Sequence, residues 1–161
     1  MNTYLDPVEH SIASKGLRFV NYLIDYFIAG IIQYAVIFIP MLLIEDAYYN
    51  SPILSLGLLG ISLLVYVLYY ALTEYLFKGK TIAKFITGTK AVTVEGEDLN
   101  FNKALIRSLC RFIPFEPFSF LGETGWHDSI SKTRVVNQKD FEQNKAKFNF
   151  IDQIGQIAEP A

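Results

Sequence analysis

From residue 19 to residue 77 the chain holds neither Lys nor Arg, although it carries 14 basic residues in all. Two apolar blocks, residues 17–44 and 52–77, fill nearly the whole of that interval. Each exceeds the roughly 20 residues that a helix rising about 1.5 Å per residue needs to cross a bilayer. With 52% apolar and 19% charged residues, the 161-residue chain has too little polar surface for a water-soluble domain of its size. Buried helices of a soluble protein normally carry a polar stripe, whereas the run 27–43 has Gln33 as its only strongly polar side chain. A cleaved signal peptide would end its apolar core after about 7–15 residues at a small-residue site. The first block is longer and offers no such site, so it is expected to persist.

The basic residues place the blocks. Lys15 and Arg18 precede the first, Lys78, Lys80, Lys84 and Lys90 follow the second, and the joining loop "EDAYYNS" is short and acidic. By the positive-inside rule the loop faces outward and both termini are cytoplasmic, which predicts a multi-pass protein of the cell (inner) membrane.

The expected fold is an all-α integral membrane protein: two transmembrane helices in a hairpin, about 17–44 and 52–77, with a third re-entrant or interfacial helical segment at about 102–122 and a small cytoplasmic two-stranded β-ribbon. Pro40 falls near the outer end of the first helix, where a kink or early stop is tolerated, and Pro52 suits the first turn of the second. In "GKTIAKFITG", Ile82, Phe85 and Ile86 share a face opposite Lys80 and Lys84, predicting a short amphipathic helix on the inner leaflet that Gly88 ends. "TKAVTV" alternates and is β-branched, "EGED" reads as a turn, and "KTRVV" at 132–136 is the comparable run with which it should pair. The third segment is interrupted by Glu116 and prolines, so a straight crossing is not open to it. Residues 15–137 thus form the membrane domain; 1–14 are expected as a loosely held tail or short surface helix, and 138–161 as a solvated cytoplasmic tail in preference to a surface-seeking helix.

Several polar residues intrude on the apolar segments. On a helical wheel Arg18 lies about 20° and Asn21 about 40° from Asp25, on opposite sides, so the three share a narrow face. Arg18 and Asp25 are roughly 10 Å apart along the axis, too far for a direct pair, so each should find its partner elsewhere. Arg18 reads most simply as an inner-boundary anchor reaching the headgroups. Asp25 stands about two turns inside, where a carboxylate costs roughly 2.5–3.5 kcal/mol. It must be protonated, paired with a cation, or line a wet cavity, which leaves a structural and an ion or proton role both open. On the second helix Ser62, Tyr66, Tyr69, Tyr70, Thr73 and Glu74 form a hydroxyl-rich stripe expected to face the first helix and Asp25. Arg107 and Arg111, one turn apart, point the same way, toward phospholipid headgroups or toward Asp25 or Glu74. His127 and Asp128 come where the third segment returns to the surface; a lone histidine is commonly structural or solvated.

These motifs together resemble the RDD family of small, mostly bacterial membrane proteins, named for an Arg and two Asp. "RFVNYLID" is similar to the family's opening Arg and Asp, giving Arg18 and Asp25. "EYLFKGKTIAKFITGTKAVTV" resembles its acidic residue, glycine-bearing turn, short helix and strand, while "RSLCR" and "WHDSISKTRVV" resemble its later Arg pair and His-Asp, making Asp128 the second Asp. The chain departs from the pattern at Ala83 and Lys132, where the family usually has Gly, and in a shorter, proline-rich third segment. Membership implies transport as the expected activity, some members being associated with sodium/proton antiport, though no activity is common to all.

Two functions follow as alternatives. One is transport of a small cation or solute, such as cation/proton exchange, in which Asp25, Glu74 and Asp128 take turns; two helices enclose no pathway alone, so this requires a homo-oligomer. The other is a non-transporting accessory or scaffold protein that binds or regulates other membrane components, with the Arg and Asp residues as internal clamps. An enzyme is not expected, since no nucleophile, metal set or cofactor loop accompanies His127 and Asp128. Cys110 is the only cysteine, and the basic residues form no dense patch for nucleic acid. The expected partners are the lipid bilayer and other copies or other membrane proteins.

Overall fold

The computed structural model describes residues 6–113, 119 and 124–158. Helix α1, Lys15–Leu43, is capped by Ser14, whose hydroxyl accepts the Leu17 N–H at 3.3 Å. It runs on for three residues past Pro40 rather than stopping there. The acidic connection is itself a short helix, α2, Glu45–Asn50. Helix α3, Pro52–Leu76, starts with Pro in its first turn and Ser51 accepting the Leu54 N–H. Packed side by side, α1 and α3 form the expected hairpin, bridged midway by Gln33 Nε2 donating to the Ser62 carbonyl at 3.2 Å. Both helices are long and apolar enough to cross a membrane, and little of either is covered by the rest of the chain: Phe27, Ile31, Ile53 and Leu56 are among their exposed side chains.

A tight turn then lays the chain against the ribbon. Gly79 has a positive φ of 89°, and a Cβ there would lie 1.9 Å from the Ala91 carbonyl oxygen, so only glycine fits. Ala91 returns a hydrogen bond from its N–H to the Gly79 carbonyl at 2.8 Å. Helix α4, Ile82–Thr87, is capped by Thr81 and ended by left-handed Gly88. It is amphipathic as expected, with Ile82, Phe85 and Ile86 exposed, but its polar face turns inward: Lys84 is only 3% exposed. Strand β1, Thr89–Thr93, pairs antiparallel with β2, Thr133–Asn137, in the register Thr89↔Asn137 to Thr93↔Thr133. This is the ribbon the two β-branched runs predicted.

Between the strands stand α5, Phe101–Cys110, packed on α3, and α6, Trp126–Ser131, packed on α5. Lys132 ends α6 in the left-handed conformation at φ 52°, which explains glycine as the family's usual choice there. Whether the third segment re-enters the bilayer rests on residues 114–118 and 120–123, which lie outside the described residues.

At both ends of the chain the helical alternative to a loose tail is what forms. Residues 8–13 are docked, not loose: Ile12 bridges Val136, the Ala13 N–H donates to the Val135 carbonyl at 2.9 Å, and Val8 is 2% exposed. Gln138–Ala158 is a helix, α7, whose Phe141 completes a small core with Val8, Val92 and Val136. Asn144 and Lys145 add polar ties, donating to the Ser11 hydroxyl at 2.9 Å and the Gly96 carbonyl at 3.1 Å.

Candidate functional site

Where α3 meets α4, α5 and α6, charged side chains are buried together. The Glu74 carboxylate, fully buried, accepts from Lys84 Nζ at 2.7 Å, Arg107 Nε at 2.7 Å and Arg111 Nη2 at 3.5 Å. Arg107, also fully buried, turns its Nη1 to the Asp128 carboxylate and to the Thr133 hydroxyl. Thr133 in turn donates to Asp128 at 3.2 Å, and His127 Nε2 stands 3.6 Å from the other Asp128 oxygen. Arg111 also lies over the Tyr70 ring at 4.1 Å. One carboxylate on α3 thereby holds α4 and α5, and one guanidinium on α5 holds α6 and β2.

The charges are tuned by this packing. Burial draws the Lys84 ammonium below its ordinary range; Glu74 pulls against that, and Arg107 and Arg111 add to it. Burial would also lower Arg107, yet Glu74 and Asp128 raise it above its ordinary value. Burial works against an ionised Asp128, but Arg107 and His127 outweigh it and bring the carboxyl to about 2.

Tyr69 and Tyr70 of the α3 stripe stand near enough to Asp25 to feel its charge. The hydrogen bonds of Asn21 and Asp25 come from a different neighbour, the segment carrying α4. Asp25 accepts from the Thr81 hydroxyl at 2.6 Å and the Ala83 N–H at 3.2 Å. Asn21 donates to the Thr89 hydroxyl at 2.8 Å and accepts from the Thr87 hydroxyl at 2.6 Å. Among the described residues, no cation lies within ion-pair distance of Asp25, although it is only 2% exposed. Its partners are a hydroxyl and a backbone N–H at the start of α4.

Beside Asp25 lies a cavity of about 50 Å³, bordered by Arg18, Lys84, Arg111, His127 and Asp128, with room for a few water molecules. Arg18, Asp25, Arg111, His127 and Asp128 are thus brought to one space, with Glu74 and Arg107 behind it. Among the described residues, Arg18, Lys84 and Arg111 share this space with Asp25 and Asp128, and Arg107 and Glu74 stand next to it. Among the described residues no group of three or more His, Cys, Asp or Glu is placed to hold a metal ion.

Five participants escaped the sequence: Lys84, Thr81, Thr87, Thr89 and Thr133. Lys84 was legible only as the polar side of a surface helix. The threonines carried the signal of caps and β-branched strands, which masks a hydroxyl's second use.

The chain is 28% identical over 145 residues to the uncharacterized protein YxaI of Bacillus subtilis (strain 168), an alignment spanning 77% of this chain and 96% of that protein. No solved structure matches it. The model of the RDD family matches residues 12–142, which take in α1 to β2 and every member of the buried cluster. By that match the chain belongs to the RDD family.

Proposed function

We propose that this chain is a multi-pass inner-membrane protein, with both termini and the β-ribbon on the cytoplasmic side, that serves as a non-transporting accessory or scaffold for other membrane components. The uncovered apolar surface of α1 and α3 supports membrane insertion, since a core helix of a soluble protein would be mostly buried. The basic residues flanking the hairpin support the orientation. One observation carries the scaffold role. Glu74 is already committed to three fixed cations from α4 and α5, so the charges bind helices to one another instead of awaiting a passing ion.

Cation/proton exchange by an oligomer is the second reading, favoured by Asp25, which borders the cavity and has no ion-pair partner among the described residues. Proteoliposomes separate the two. The scaffold role predicts that wild-type protein dissipates sodium and proton gradients no faster than empty vesicles. Gradient collapse by wild type that a folded Asp25→Asn variant loses would replace it with exchange.

A further inference from the structure

At the head of α1 a second cavity, about 580 Å³, opens between the N-terminal segment and β2. That size falls within the roughly 300–1,000 Å³ of small-molecule sites. Lys15, Arg18 and Arg134 border it, with the Ser14 and Thr124 side chains between them. Glu9 supplies a carboxylate, 3.8 Å from Arg134 Nε and 54% exposed, so it is free to swing into water. The Nε atoms of both Arg18 and Arg134 are buried and have no hydrogen-bond partner among the described residues. Two desolvated guanidinium N–H donors, bordering one concave space, call for an acceptor.

We propose that this groove binds a phosphate group, that of an anionic phospholipid headgroup in the cytoplasmic leaflet. A guanidinium presents planar donors that match phosphate oxygens, and Arg18 and Arg134 bring two of them to one groove. Its height suits a lipid: Arg18 is followed directly by Phe19 and Val20, where the exposed apolar surface of α1 begins. The inference rests on the membrane reading given above. It differs from the buried cluster, since Arg134 and Lys15 take no part in that cluster.

Native mass spectrometry of the full chain in neutral detergent, titrated with short-chain phosphatidylglycerol, phosphatidylcholine or inorganic phosphate, tests it. Two arginines near a lipid surface, each contributing about fivefold, predict retention of phosphatidylglycerol about twenty-fivefold over phosphatidylcholine. R18Q/R134Q should abolish that preference, and Arg134→Gln alone, outside the buried cluster, should lower it about fivefold. Equal retention of the two lipids, or an unchanged preference in Arg134→Gln, would overturn the proposal. Binding of inorganic phosphate without lipid preference would overturn the lipid as its source. Alkaline extraction of wild type from phosphatidylcholine vesicles checks insertion separately: extractable protein sinks the membrane reading, whereas inserted protein without lipid preference sinks only the groove.

Discussion

Replacing Glu74 by Gln keeps the shape of the side chain and removes the charge that three cations share. One carbonyl oxygen remains to accept, so the new amide nitrogen displaces either Arg107 from one oxygen or Lys84 and Arg111 from the other, and the three cations face one another without their common counter-ion. Breaking a buried pair by removing one partner costs about 3–5 kcal/mol. For a chain of this length each kcal/mol moves the melting temperature by about 2–4 °C, so E74Q should melt about 6–20 °C below wild type. Cys110 provides the assay, being the single cysteine, buried and one helical turn beyond Arg107 on α5. A thiol-reactive fluorogenic dye added to detergent-solubilised protein during heating reports when that helix comes loose. Adding Lys84→Met to E74Q removes one uncompensated cation and should recover part of the loss. A melting temperature within about 2 °C of wild type for E74Q would refute the clamp.

Three further perturbations address other parts of the molecule. Asp128, at about 2 in the folded chain against an ordinary 3.8, adds stability above that ordinary value that is lost as pH falls toward 2. The loss is on the order of 2 kcal/mol, and Asp128→Asn should flatten the acid limb of a melting-temperature profile. Gly79→Ala drives a methyl into the Ala91 carbonyl at a positive φ, and should cost about 2 kcal/mol or more, read by the same thiol assay. Phe141→Ala empties the core shared with Val8, Val92 and Val136 at a cost of about 3–5 kcal/mol, and should expose α7 to limited proteolysis while leaving the hairpin protected.

What could be read in advance was whatever depends on composition and period. The hairpin follows from two uninterrupted apolar runs, and the ribbon from two β-branched runs that had only each other to pair with. The spacing of Arg107 and Arg111 puts them on one helix face, which left headgroups, Asp25 and Glu74 as their targets; in the structure both reach Glu74. The hydrogen-bond partners of Asn21 and Asp25 could not be read, because a wheel gives direction around an axis without saying which elements stand there, and α4 with the start of β1 lies beside the stripe of α3. Lys84 misled for a related reason: amphipathicity fixes two opposite faces but not which of them meets protein when lipid is a third neighbour. Residues 8–13 and α7 were too polar to show a packing signal, and each is held by a few contacts made across long separations.

Those separations have a consequence for biogenesis. Ile12 and Ala13 close on Val136 and Val135, and Arg107 finds Asp128 and Thr133, so each waits for partners made much later in synthesis. Strand β1 waits in the same way for β2. Such non-local closure is slow to form and leaves polar groups and strand edges open meanwhile. A nascent chain halted before residue 133 would hold the finished hairpin but lack the strand that lets its inner end close. Synthesis of residues 133–137 therefore decides whether the residues before them close up or become a substrate for quality control.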